Sequence, residues 1–415
     1  MKILRAFRTE LDLNDKHVTL CLKHAGAARF AYNWGLAQKK MAYEHGEKIP
    51  NAIDLHKRLN LLKKSELAWM YEVSKTTPQE ALRHLDKAYA NFFRRVKQKK
   101  QGNLSGKAGF PKFKSKKKGI GSFQVWGSIH IFEKAIQLPR FGKIRLKESG
   151  YLPTEDVKVL YATVSEKAGR WFVAVQCEVE MPEPLVDSSK PVCGVDLGIK
   201  TLATVSDGTQ FANPKALQSA LKKVKRLHRI VSHRQKGCKN RKKAVQALAT
   251  AYAQTTNIRN NTLHQFTTWL TKNKSAVVLE NLNVAGMKRN RRLSLAISDV
   301  GFGEFRRQMQ YKGAWYGCQV ILADRFFASS KICSHCGHKK DVMLLSERVF
   351  RCEKCGLEID RDLNAAINLE HLIKYNTTAS SAGSYACGED VRPVFNRQPS
   401  VKQEQNNKST MCRFV

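Results

Sequence analysis

The sequence predicts an α/β protein with β-barrel and helical parts attached, and three observations predict it. The runs Val192-Cys-Gly-Val-Asp-Leu and Ser275-Ala-Val-Val-Leu-Glu are short, apolar and rich in β-branched residues, as buried strands are, and each carries one carboxylate, Asp196 and Glu280. Late in the chain, Asp360-Arg-Asp-Leu-Asn-Ala-Ala-Ile-Asn-Leu has helical spacing and opens on acids. Between them and the N-terminus, residues 122–180 change to short alternating segments separated by turns, which suggests a small barrel.

The elements follow in order. Residues 1–11 alternate as a strand, the first of the barrel, in a unit spanning 1–12. Asn14-Asp15 caps a helix whose apolar stripe is Val18, Cys21, Leu22, Ala25, Ala28, Tyr32 and Leu36. Thr77-Pro78-Gln79-Glu80 reads as a capping box with proline in the first turn, opening a helix that buries Leu82, Leu85, Tyr89, Phe92 and Val96. These helices make up a helical region, 13–100. Aromatics such as Tyr32, Trp34 and Phe93 could stack on bases, but at helical spacing core is the commoner role.

The barrel resumes over 101–185. Its lysine-rich entry, 94–119, cannot form a core, and Lys112, Lys114, Lys116 and Lys117 interleave with Phe110 and Phe113 as phosphate-contacting stretches do. Strands follow at 122–125, 129–132 and 144–146, then a hairpin, 157–165 and 171–179, turning at Lys167-Ala168-Gly169. The next domain, 186–330, holds the two acid-bearing strands and, between them, a basic helical hairpin over 216–272 with the seam Leu217, Leu221, Val224, Leu227 and Val231. Arg241 and Lys242 lie beside its turn and Arg289 and Arg291 in a second basic loop, all four expected to contact nucleic acid, with a purely structural hairpin as the alternative for the first pair; a strand follows at 319–323.

Cys333/Cys336 and Cys352/Cys355 are two Cys-x-x-Cys pairs fifteen residues apart, a spacing that closes tetrahedrally on one structural Zn²⁺. Gly337 and Gly356 follow the pairs and permit the tight turns. This insertion, 331–358, leads into a final helix, 359–375. The tail, 376–415, is polar, aperiodic and expected to be disordered. Cys21, Cys177, Cys193 and Cys318 lack metal spacing and suit packing roles in a reducing compartment.

Charge narrows the function. Lys plus Arg number 73 against 35 Asp plus Glu, a formal +38 that calls for a polyanionic partner. With no apolar run of 18 residues and no signal-peptide pattern at the start, a cytoplasmic, soluble protein is expected. A strand Asp, a strand Glu and a helix Asp, in that order, suit the RNase H-like fold, in which adjacent strands and a packed helix bring three acids together. Converging carboxylates stay ionised together when cations sit between them, and oxygen ligands favour Mg²⁺ or Mn²⁺. Two such ions would activate water for phosphodiester hydrolysis.

Gly194-Val-Asp-Leu-Gly-Ile-Lys, Val278-Leu-Glu-Asn-Leu, the paired Cys-x-x-Cys insertion and Asp360-Arg-Asp-Leu-Asn-Ala-Ala-Ile-Asn-Leu, in that order, resemble the TnpB (OrfB) proteins of bacterial insertion sequences, which are similar to type V CRISPR effectors. The resemblance runs from the N-terminus to about residue 370. It implies a RuvC-like nuclease domain, a split wedge barrel with a helical recognition domain inserted in it, and an RNA-guided DNA endonuclease that uses RNA from the transposon end and reads a short duplex motif beside its target. By position the catalytic, Mg²⁺-binding acids are Asp196, Glu280 and Asp362; Asp360 is the neighbouring alternative, but the family's acid directly precedes the x-Asn-Ala-Ala stretch. Arg325 and Arg361 would contact the target strand or scissile phosphate. A catalytically silent RNA- or DNA-binding regulator, or an unguided transposase accessory, is the competing class. Silent relatives would be expected to lose an acid, and no strand-joining tyrosine motif is evident.

Overall fold

The computed structural model describes residues 2–104, 106–344 and 346–379. The N-terminal unit begins with β1 (Lys2–Asp12), followed by α1 (Asp15–Glu44), α2 (Ala52–Leu62) and α3 (Thr76–Lys100), then by β2 (Ser122–Val125), β3 (His130–Phe132), β4 (Ala135–Leu138), β5 (Gly142–Leu146), β6 (Val157–Lys167) and β7 (Arg170–Glu180). The seven strands form one antiparallel sheet in the order β2-β6-β7-β1-β5-β4-β3. Strand β1 is central because it changes partner: residues 2–10 pair with β7, and Leu11 and Asp12 pair with β5. The order runs from β2 to β3, and no β2–β3 pairing that would close it into a barrel occurs among the described residues. Strand β4, unforeseen in the sequence, completes a meander between β3 and β5.

One apolar core joins this sheet to the helices, with Phe7, Leu36, Leu55, Leu82, Leu85, Ile136, Val164 and Val173 in a single cluster. Gly35 permits the close approach of α1 and α3: a Cβ there would stand 2.6 Å from Leu82 and 3.1 Å from Leu85. Two local expectations are corrected. Leu22, placed on the buried stripe of α1, is 41% exposed, while His24 is fully buried. Its ring nitrogens face the Leu20 carbonyl and the Ser74 N–H, and burial pushes its pKa down to about 4, so it packs as a neutral, satisfied group. The expected capping box at Thr77–Glu80 does not form. Helix α3 starts at Thr76, the Thr77 hydroxyl donates to the Gln124 carbonyl, and Glu80 accepts from Arg83. Tertiary partners outcompete the local cap; the capping box of this region belongs to α2, between Asn51 and Asp54.

The second unit is a mixed five-stranded sheet built from β8 (Cys193–Leu197), β9 (Thr201–Val205), β10 (Gln210–Ala212), β11 (Ala276–Leu279) and β12 (Gln319–Leu322), in the order β10-β9-β8-β11-β12. Strands β8, β11 and β12 are parallel; β9 and β10 are antiparallel hairpin additions. Between β10 and β11 run α4 (Ala216–His233) and α5 (Lys239–Asn273) as a hairpin; α6 (Val284–Met287), α7 (Ser294–Val300) and α8 (Phe302–Tyr316) precede β12. Buried Asp299 on α7 caps α4 from outside, accepting from the Leu217 and Gln218 N–H groups and from Arg259.

Alternation along the strands sorts two faces. Cys193, Val195, Val277 and Leu279 pack against Leu263 and Phe266 of α5 and Phe305 of α8. Val278 packs on the other face with Ala323 and Leu369. That second face carries α9 (Arg361–Ala379), which continues four residues past the expected end at 375; the rest of the expected tail, with Cys387 and Cys412, lies outside the described residues. Between β12 and α9, β13 (Val349–Arg351) and β14 (Glu358–Asp360) form a small ribbon over the buried ring of Phe350. Cys21, Cys177, Cys193 and Cys318 are buried, as expected of packing residues.

Candidate active site

The parallel register of β8 and β11 aligns the first two acids. Val277 lies beside Cys193, Val278 beside Gly194 and Leu279 beside Val195; the next step sets Glu280 beside Asp196. Both therefore belong to the face that α9 covers, the face of Gly194 and Val278. Gly194 brings the third acid. A Cβ at this position would stand 2.0 Å from the Ala366 carbonyl oxygen and 2.5 Å from the Glu370 nitrogen, so the helix backbone lies directly on the strand. From that contact, Asp196 is two residues along the strand, about 7 Å, and Asp362 is four residues back along the helix, about 6 Å. The Asp362 carboxylate is near enough to both strand acids to act on their charges.

The electrostatics agree. Burial, first of all, and then the Glu280 and Asp362 carboxylates push the Asp196 pKa well above the usual carboxylate range, while Arg361 opposes them. Glu280 is also raised, by burial and by Asp362, against the lowering effect of the Ser329 hydroxyl that donates to its Oε1 at 2.8 Å. Asp362 sits beside Arg361 at 3.3 Å and Arg348 at 4.0 Å. Asp360 is the last of the causes that raise Asp196, but one of its oxygens is engaged elsewhere. Its Oδ1 accepts the N–H groups of Asp362 and Leu363, both at 3.0 Å, which makes it the cap of α9.

This donor set fits hard divalent cations: it is all oxygen, and burial together with neighbouring carboxylates raises the pKa of both Asp196 and Glu280, a burden that positive charge between them would relieve. Among the described residues the four cysteines are the one set of three or more metal-ligating side chains whose donor atoms all lie within 4.8 Å. The three carboxylates are not among the sets that meet this distance. The cysteines themselves fit zinc. Cys333 and Cys355 sulfurs are 3.6 Å apart and those of Cys336 and Cys352 3.5 Å, close to the roughly 3.8 Å edge of a tetrahedron with Zn–S bonds of about 2.3 Å. Gly337 and Gly356 take φ of 72° and 73°, and their N–H groups donate to the carbonyls of Cys333 and Cys352, so the two knuckles repeat one turn. A backbone N–H from Cys355 lowers the Cys352 thiol to about 6, while burial and the hydrogen bonds of the other three cysteines push Cys355 up to about 12, so the four crowded thiols do not ionise alike without a cation among them.

Four residues that sequence reasoning passed over complete the site. Gly194 seats the helix, Ser329 holds Glu280, and Asn364 and Asn368 tie the start of the cysteine insertion to α9. Asn364 and Asn368 lay in the noticed motif, but their partners are distant in sequence.

The basic candidates do not gather here, apart from Arg361. Lys112, Lys116 and Lys117 are exposed on the segment before β2, where the Lys114 backbone is held by Asn33 and its amine lies 4.0 Å over the Tyr32 ring. Lys242 lines a groove with Lys223, Leu227 and Lys243 between α4 and α5, and Arg241 is half-buried next to it. Arg289, Arg291 and Arg325 are exposed on loops.

Comparison with known proteins decides the family. A protein of Streptomyces pristinaespiralis named as an RNA-guided DNA endonuclease is 33% identical over 412 residues, covering 97% of this chain and 96% of that protein. The chain belongs to the OrfB (TnpB) family. The Escherichia coli K12 member InsQ, named likewise, is 32% identical over 94% of this chain and 96% of its own length. Residues 174–291 match OrfB_IS605, "Probable transposase", and 302–369 match the Cas12f1-like TNB domain. Residues 1–48 match a helix-turn-helix domain of OrfB proteins, although here that stretch folds as β1 and the single long helix α1. The fold is shared with a Cas12f1 solved with sgRNA and target DNA, at a TM-score of 0.52 and 14% identity, over 89% of this chain and 99% of that one. No described helix of this OrfB protein is long and apolar enough to cross a membrane.

Proposed function

We propose that this protein is an RNA-guided DNA endonuclease whose RNase H-like (RuvC) domain cuts phosphodiester bonds with two divalent cations, guided by RNA from its own transposon end. The relatives' names support guidance and cutting. The observation that carries the chemistry is the convergence of Asp196, Glu280 and Asp362 on the α9 face of the sheet. Two Mg²⁺ or Mn²⁺ ions about 3.5–4 Å apart would supply charge to activate a water and to stabilise the leaving oxygen.

The chain's own groups do the rest. Asp196 and Glu280 present carboxylate oxygens from neighbouring strand ends, and Asp362 presents its own from the helix above them. Arg361 keeps one Asp362 oxygen in place and stands where a phosphate oxygen would arrive. Zn²⁺ in the four-cysteine insertion holds the segment that leads into α9. The N-terminal sheet serves as the wedge and α1–α3 as the recognition helices, and the exposed lysines of 112–117 and of the α4–α5 hairpin grip phosphates. The test is sequencing of the RNA that co-purifies with the protein, with cleavage assayed on matched DNA. An encoded transposon-end transcript and metal-dependent cutting are expected; random RNA and no cutting would leave a nucleic-acid binder.

A further inference from the structure

We infer that Ser329 is a positioning residue for Glu280, and that the four-cysteine insertion acts on the acid site through it. The inference rests on the reading of Glu280 as a cation ligand given above. Ser329 is 4% exposed, and each of its polar groups is engaged. Its N–H donates to the Phe327 carbonyl at 3.0 Å, its carbonyl accepts from Asn368 Nδ2 at 2.8 Å, and its hydroxyl donates to Glu280 Oε1 at 2.8 Å.

The residues that follow are fixed to the same helix. Asn368 also donates to the Ile332 carbonyl at 2.6 Å; Asn364 donates to that carbonyl at 2.7 Å and accepts the Ser334 N–H at 2.9 Å. Both asparagines are buried, at 4% and 0% exposure, where an unmade hydrogen bond would be costly. Cys333 lies inside the clamped stretch. A cluster closed on Cys333 therefore fixes residues 329–334 against α9, the helix that also begins with Asp362. A neutral hydroxyl suits this task. It stops the Glu280 carboxylate from rotating and occupies one lone pair of Oε1, leaving the other oxygen and the full negative charge for a cation.

Binding of Mn²⁺ to the full-length, zinc-loaded protein, followed by the paramagnetic resonance of free Mn²⁺, tests this. Ser329→Ala is expected to weaken Mn²⁺ affinity about 10- to 100-fold, with zinc content unchanged and the fold retained. Ser329→Thr, which retains the hydroxyl, is expected to restore it, and Asn368→Ala to weaken it. Glu280→Gln separates the two readings. If that variant binds Mn²⁺ as wild type does, Glu280 is not a ligand. If it binds weakly while Ser329→Ala binds normally, the positioning role is overturned and the ligand stands. Loss of zinc or of the fold in Ser329→Ala would make the serine a structural residue, and unchanged affinity in Asn368→Ala would remove the link to the insertion.

Discussion

Replacing Gly194 by alanine perturbs the site without touching an acid. The added methyl would stand 2.0 Å from the Ala366 carbonyl oxygen, 2.5 Å from the Glu370 nitrogen and 2.8 Å from the Leu369 Cβ. Backbone supplies the two nearest contacts, so no rotamer change relieves the clash. Ordinary contact begins near 3.4 Å, and α9 must retreat by about 1.4 Å or tilt. Overpacking of this kind costs about 1–3 kcal/mol, which a domain of this size survives. A displacement of about 1 Å at a reacting centre costs on the order of 10²-fold in rate, and α9 carries Asp362. The expected result is a folded protein with a modestly lower melting temperature, wild-type zinc content, near-normal RNA and DNA binding, and single-turnover cleavage slowed about 100-fold. Cleavage at the wild-type rate with unchanged melting would refute the argument that the missing side chain sets the helix on the strand.

Asp196→Ala should abolish cleavage while RNA and DNA binding stay nearly intact, as read by gel shift; joint loss of both would count against its role as a cation ligand. Asp360→Ala should cost about 1 kcal/mol of stability as a lost helix cap and leave substantial cutting, whereas Asp362→Ala should leave none, so equal loss in the two would undo their separate assignment. Cys352→Ser should lower zinc content measured by elemental analysis and unfold the insertion, because metal binding contributes folding energy. Burial and mutual repulsion raise the folded-state pKa of both Asp196 and Glu280, so the cation-free protein holds their protons more tightly than the unfolded chain does. Their contribution to stability is greatest below the ordinary carboxylate pKa and is lost as pH rises through the raised values. The gain in melting temperature on adding Mg²⁺ to chelator-treated protein should therefore increase with pH, and a gain independent of pH would contradict the shared burden of charge.

The parts of the fold visible in the sequence are those with short-range signatures. Asp196 and Glu280 interrupt apolar β-branched runs, and the cysteines are written as two local pairs, so the two strands and the four-cysteine cluster were legible in the sequence. What escaped depends on partners far along the chain. A glycine at 194 looks like any strand glycine until α9, some 170 residues later, is laid on it. Ser329 has no motif of its own; its meaning comes from Glu280, which is 49 residues away. The mistaken capping box and the unforeseen burial of His24 share this cause, since Gln124 and Ser74 supply the distant partners at those positions. Asp360 and Asp362 stand two residues apart and share one composition signal, and only the backbone N–H geometry shows that Asp360 is the helix cap.

The most direct test of the account is anomalous scattering from Mn²⁺ in crystals of the protein bound to RNA and DNA. Two ions about 3.5–4 Å apart, touching oxygens of Asp196, Glu280 and Asp362, are expected. Manganese bound elsewhere, with these three side chains making no contact to it, would contradict the assignment of the acids as the cutting site.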